Sequence, residues 1–145
     1  MAKIDREIIV NSPIERVFNY ISDFTNWPEF WSSLMEIEGI QSLPNGGSRA
    51  DYQYKMAGMR FQGAGEHTEL APNHWIVVDT VGGIQSTITW TFRSIDDKTQ
   101  ITFSVEYKVP IPLLGKLAEL VVLKMNEQEA DLIMVNLQAR FLLNH

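Results

Sequence analysis

The chain has 145 residues, of which 12 are basic and 18 acidic, giving a formal net charge of −6 at pH 7. Such a length suits one domain with one core, and 45% hydrophobic residues is a globular rather than a disordered share. No basic cluster is available to neutralise phosphates, which argues against a nucleic-acid partner, and the absence of cysteine excludes disulfides and thiolate metal sites.

Residues 3–10, rich in Ile and Val, read as a first strand. The opening MAKIDREIIV mixes charge into that pattern and lacks the apolar core of a signal peptide. Ser12-Pro13-Ile14-Glu15 then marks a helix start, with Ser12 as cap, Pro13 at the first helical position and Glu15 completing a capping box. Val17, Phe18 and Ile21 share one face of that helix. A second short helix begins near Asn26, with Glu29 three residues on, and carries Trp27, Phe30 and Trp31.

Residues 34–109 read as a six-stranded meander. Its turns are Pro44-Asn45-Gly46-Gly47, Ala57-Gly58, Ala71-Pro72-Asn73, Gly82-Gly83 and Asp96-Asp97. After the breakers Pro110 and Pro112, a long helix runs from about Leu113 to the C-terminus. The nearest approach to a membrane span, residues 111–123, is interrupted by Lys116 and Glu119. The expected order is β-α-α-β6-α in a single domain over residues 1–145, and a cytoplasmic location is expected.

Tight turns without bulges predict which residues face each other. The Ala57-Gly58 turn pairs Met56 with Met59, Tyr54 with Phe61, Tyr52 with Gly63, Ala50 with Gly65 and Ser48 with His67. A three-residue turn with Asn73 left-handed sets His67 beside Val77 and Gly65 beside Asp79. Gly82-Gly83 pairs Asp79 with Ser86, Val77 with Ile88 and Trp75 with Trp90. Asp96-Asp97 pairs Phe92 with Ile101, Trp90 with Phe103, Ile88 with Val105 and Ser86 with Tyr107. All four hairpins agree on one apolar face.

One row across that face is unusual, because it sets Asp79, Ser86 and Tyr107 side by side behind Ala50 and Gly65. An unpaired buried carboxylate costs several kcal/mol, so Asp79 must be paired, wet or neutral. Space beside polar groups on an apolar wall is how small-molecule pockets are built. The catalytic candidates are Asp79 and His67 as bases and Tyr107 as donor. Their plainer reading is a satisfied hydrogen-bond cluster at the sheet rim, with an ordinary strand-end imidazole. Candidate ligand contacts add Tyr52, Tyr54, Phe61, Trp75, Ser86, Ile88, Trp90 and Phe103, whose plainer role is core. His67, His74 and His145 show no metal-ligand spacing, so neither metal nor cofactor is expected.

On the last helix, Ala130, Ile133, Met134, Leu137 and Phe141 form one stripe that should pack on the sheet. The start is apolar around most of its circumference, through Leu113, Leu114, Leu117, Leu120, Val121, Val122, Leu123 and Met125. Burial under the short helices and loops is the plainer expectation. A cavity mouth, a dimer contact or a membrane-touching portal is the functional one.

The element order, Ser-Pro-Ile-Glu before the first helix, Asn26-Trp27-Pro28-Glu29-Phe30-Trp31 after it and Val-Glu-Tyr-Lys-Val-Pro at 105–110 together resemble the START-like superfamily, in its polyketide cyclase/dehydrase branch. The resemblance covers nearly the whole chain. It implies an α+β helix-grip fold, in which a curved antiparallel seven-stranded sheet with two short helices wraps around a long C-terminal helix over a cavity. It also implies a hydrophobic ligand such as a lipid, isoprenoid or polyketide. Three functions follow: a binder or carrier of that ligand, a cyclase/dehydratase-type enzyme acting on it, or an interaction module using the apolar helix start, with a homodimer as its simplest form.

Overall fold

The computed structural model describes residues 2–110 and 115–143. The strands are β1 (Ala2–Val10), β2 (Leu34–Ser42), β3 (Ser48–Met56), β4 (Met59–Ala71), β5 (Trp75–Gly82), β6 (Ser86–Ile95) and β7 (Lys98–Tyr107). Helix α1 (Ile14–Ser22), a 3-10 turn (Phe24–Asn26) and α2 (Trp27–Phe30) lie between β1 and β2, and α3 (Lys116–Leu143) follows β7. The strands form one antiparallel sheet in the order β1-β7-β6-β5-β4-β3-β2. The meander is sequential, and the first strand closes it by pairing with the last. The stripe from Ala130 to Phe141 is buried as expected, with Leu137 fully so, and α3 lies against β1 and α2. This is the helix-grip arrangement.

The β3–β4 hairpin follows the turn chemistry. Ala57 and Gly58 both have positive φ, at 49° and 79°, which is what a two-residue hairpin turn needs. Met56↔Met59 through Arg49↔Glu66 then pair as expected, although Ser48 leaves the ladder and its N–H donates to His67 Nδ1 at 2.8 Å. The β6–β7 hairpin also pairs as expected, from Ser86↔Tyr107 to Phe92↔Ile101.

β5 departs by one residue. Asn73 is left-handed as predicted, with φ 65°, but Ala71 pairs with Trp75, so the loop is Pro72-Asn73-His74. A bulge then leaves Thr68 unpaired between His67↔Val78 and Glu69↔Val77. That extra residue reverses which side chains of β5 face inward. Ile76, Val78 and Thr80 point in, while Trp75, Val77 and Asp79 do not. The last β5–β6 pair is Thr80↔Ser86, so the link between the paired parts of the two strands is longer than the expected Gly82-Gly83 turn. The second shift cancels the first, which is why β6 and β7 keep their predicted faces.

The helix starts also differ. Pro13 is extended and its carbonyl, not the Ser12 side chain, receives the Arg16 and Val17 N–H groups, at 3.1 and 3.2 Å. Ser12 is instead buried against β7, where its carbonyl accepts from Thr99 Oγ1 at 2.8 Å and its hydroxyl has no partner among the described residues. The second helical segment begins earlier than Asn26, because Asp23 accepts from the Thr25 N–H at 3.0 Å. Leu113 and Leu114 lie outside the described residues. The remaining apolar helix start is not covered by loops: Leu117 is 76% exposed and Leu120 62%. Only Val122 there is buried, and the expected burial is corrected accordingly. The short helices sit over the far end of the sheet and leave no cover for this one.

Candidate functional site

Between the inner sheet face, α2 and α3 lies a cavity of about 100 Å³. Phe24, Trp27, Val78, Ile88, Ala130 and Ile133 supply apolar wall. Small residues create the space: Ala50 and Gly65 pair across β3 and β4, where larger side chains would fill it.

Three polar groups interrupt the apolar lining. In the first, Tyr52 lies across Gly63, where a Cβ would come within 2.6 Å of the phenol oxygen. Its oxygen accepts from the Ile84 N–H at 3.0 Å and its hydroxyl donates to the Ile84 carbonyl at 3.2 Å. Thr80 also donates to that carbonyl, at 2.8 Å, and its hydroxyl meets Ser86 Oγ at 2.5 Å. In the second, Asn126 Nδ2 donates to the Tyr107 oxygen at 2.8 Å. In the third, Glu129 on α3 accepts from Trp31 Nε1 at 2.7 Å and from the hydroxyls of Tyr54 and Ser33.

These surroundings disfavour tyrosinate. Burial pushes the Tyr54 phenol well above its ordinary value, and the charge of Glu129 adds to the effect. Burial also raises Tyr52 and Tyr107, partly offset by the Ile84 bond and the Asn126 bond respectively. All three are neutral hydroxyls at physiological pH.

Of the residues singled out from the sequence, Tyr52, Tyr54, Ser86, Ile88 and Tyr107 line the cavity. Trp90 and Phe103 are fully buried, with ring centroids 4.6 Å apart, in an aromatic cluster behind the lining that includes Trp31. Phe61 is half-buried at the edge of the core. Trp75 is 43% exposed, and Asp79 accepts from Thr87 Oγ1 at 2.9 Å on the outer face; the Thr68 bulge displaced both. His67 is buried but does not line the cavity. It stacks on Phe24 with ring centroids 4.3 Å apart, and burial lowers its pKa. Because Nδ1 accepts from Ser48, the neutral ring carries its proton on Nε2, which has no partner among the described residues.

The expected trio of Asp79, His67 and Tyr107 is therefore not assembled; only Tyr107 reaches the cavity. Sequence reasoning missed Glu129, Asn126, Trp31 and Thr80. A signal existed for the first two: Glu129 and Asn126 stand four residues before Ile133 and Ala130, a polar continuation of the apolar stripe. Among the described residues no group of three or more His, Cys, Asp or Glu is placed to hold a metal, and no helix is long and apolar enough to cross a membrane.

A family described as polyketide cyclase / dehydrase and lipid transport matches residues 1–141. The chain belongs to that family. Sequence comparison with curated proteins returns no match. Among solved structures, the protein TTHA0849 from Thermus thermophilus is 18% identical with a TM-score of 0.82, covering 97% of both chains. A START superfamily protein from Mycobacterium smegmatis is 14% identical with a TM-score of 0.79, covering 96% of both. The Zhui aromatase/cyclase from Streptomyces sp. R1128 is 12% identical with a TM-score of 0.70, covering 92% of this chain and 91% of that one. At such identities these likenesses establish the fold, and function has to be argued from the site.

Proposed function

We propose that this protein binds an apolar small molecule of the lipid, isoprenoid or polyketide kind in the cavity under α3. The observation that carries this reading is the lining: aromatic and aliphatic walls with a few polar groups, two of them one helical turn apart on α3. That is the usual division of labour in a ligand site, with apolar area for affinity and sparse polar groups for orientation. The cavity is smaller than the roughly 300 Å³ at which typical ligand pockets begin, so a ligand of this class enters by displacing wall. On α3 that wall is Asn126, Glu129, Ala130 and Ile133, next to the uncovered start of the helix. A cyclisation or dehydration reaction in the same cavity would use Glu129 as its base, since among the described residues no other carboxylate and no imidazole lines it. Native mass spectrometry followed by denaturing extraction tests the binding reading. A co-purifying apolar molecule, displaced by bulky Ala50→Phe, is expected; a protein that stays empty when titrated with lipids, isoprenoids and aromatic polyketides rejects it.

A second reading rests on the outward face of α3. Val121, Met125, Leu132, Val135 and Leu142 are all exposed and follow the a/d spacing of a heptad seam opposite the buried stripe. The occupant that fits is a second copy, antiparallel, crossing between Asn126 and Glu127. This register sets Lys124 of each copy beside Asp131 of the other, with Asp131 fixed by Arg6 at 2.6 Å. Sedimentation velocity should then show a concentration-dependent dimer that Leu132→Lys abolishes, whereas a monomer at every concentration removes this reading.

A further inference from the structure

The polar groups of the cavity select a head group, an inference that rests on the binding reading above. Among the described residues, the lining includes four ionisable side chains, Tyr52, Tyr54, Tyr107 and Glu129, and no Lys, Arg or His. Glu129 is the one carboxylate among them and its charge raises Tyr54 and Tyr107, so the fixed charge that a ligand meets is negative.

Hydrogen-bond bookkeeping points the same way. The Tyr54 hydroxyl is committed to Glu129 and the Tyr52 hydroxyl to the Ile84 carbonyl. Thr80 and Ser86 share one short bond, and Thr80 also uses the Ile84 carbonyl. Tyr107 accepts from Asn126, which leaves its own hydrogen as a donor for a ligand. On the acceptor side, a carboxylate offers about four lone-pair sites, and Trp31, Tyr54 and Ser33 occupy three. A remaining carboxylate site and the tyrosine and serine oxygens can still accept. Asn126 and Glu129 are three residues apart on α3, so their side chains leave the helix within about 6 Å of each other. A ligand donating a hydrogen bond there is satisfied. A ligand carboxylate meets like charge in a poorly solvated site with no cation to compensate it.

We infer that the cavity takes an apolar molecule whose buried end is a hydrogen-bond donor, a hydroxyl or a protonated amine, and rejects the corresponding carboxylate. The test uses chain-matched probes, 1-decanol, decylamine and decanoate, below their aggregation limits at pH 7. Quenching of Trp27 and Trp31, which line the cavity, reports occupancy. Decanol and decylamine should bind at least about tenfold tighter than decanoate, a difference of about 1.4 kcal/mol. Glu129→Gln should reduce the amine's advantage over decanol by about tenfold. That pattern also separates the cavity from general attraction of an amine to a chain of net charge −6, which the variant alters by only one unit. Decanoate binding as tightly as decylamine in the unmodified protein, or an amine preference untouched in a folded Glu129→Gln, overturns the head-group inference alone. No quenching by any of the three overturns the binding reading itself, and this inference with it.

Discussion

The two halves of α3 are similarly apolar and meet opposite fates. Beyond Asn126, the side chains of Ala130, Ile133, Met134, Leu137 and Phe141 are buried on the sheet. Before it, Leu117, Leu120, Val121 and Met125 stand in solvent, and only Val122 is buried. The boundary is the turn that carries Asn126 and Glu129, the polar end of the cavity. Apolar content alone does not decide burial. The sheet's inner face and the short helices set how much helix can be covered, and the helix is longer than the surface offered to it.

This contrast can be broken by mutation, and the largest effect belongs to the covered half. Leu137→Ala should cost about 2–5 kcal/mol in denaturant unfolding, the usual range for a fully buried leucine. A loss below about 1 kcal/mol would mean that the covered half is not the anchor. At the boundary, Glu129→Leu strips the acceptor from Trp31, Tyr54 and Ser33 and should cost about 1–3 kcal/mol for each donor left dry. Glu129→Gln keeps a carbonyl and should cost less, so equal losses would show that those donors rehydrate.

A smaller effect comes through pH. Burial lowers the pKa of His67, so the unfolded chain takes up that proton first as pH falls. Stability attributable to His67 is complete above about pH 6.5 and declines below it, towards the lower folded value. Thermal melts from about pH 7.5 down to about pH 5 should show this decline, and His67→Asn should flatten it; a curve unchanged by the substitution would assign the slope to other groups. The smallest effect belongs to the uncovered half, where Leu120→Lys should shift monomer stability by no more than about 0.5 kcal/mol. A larger loss would indicate that this face is covered in solution.

How much was legible in the sequence follows a physical line. Local chemistry read well: Ala57-Gly58 set the β3–β4 register, Asn73 took its left-handed turn, and the 3.6-residue stripe found the covered face of α3. Features without a local signature did not. Thr68 looks like any strand residue, yet its bulge reversed β5 and carried Asp79 out of the site. The agreement among four predicted hairpins was partly accidental, because two one-residue shifts cancelled before β6. Glu129 was overlooked because its three partners come from Trp31, Ser33 and Tyr54, some 75 to 98 residues away in the chain. Tertiary contacts of that kind leave no periodicity to read.

The Thr68 bulge also bears on how this fold tolerates change in length. Insertions and deletions are ordinarily absorbed in loops. Here a strand carries its own spare residue, because Thr68 stands outside the ladder between two pairs that would follow one another without it. Deleting Thr68 would leave His67↔Val78 and Glu69↔Val77 as consecutive pairs, with Val78 and Thr80 still inward and Trp75 and Asp79 still outward, so the strand can shed this residue without changing the cavity wall.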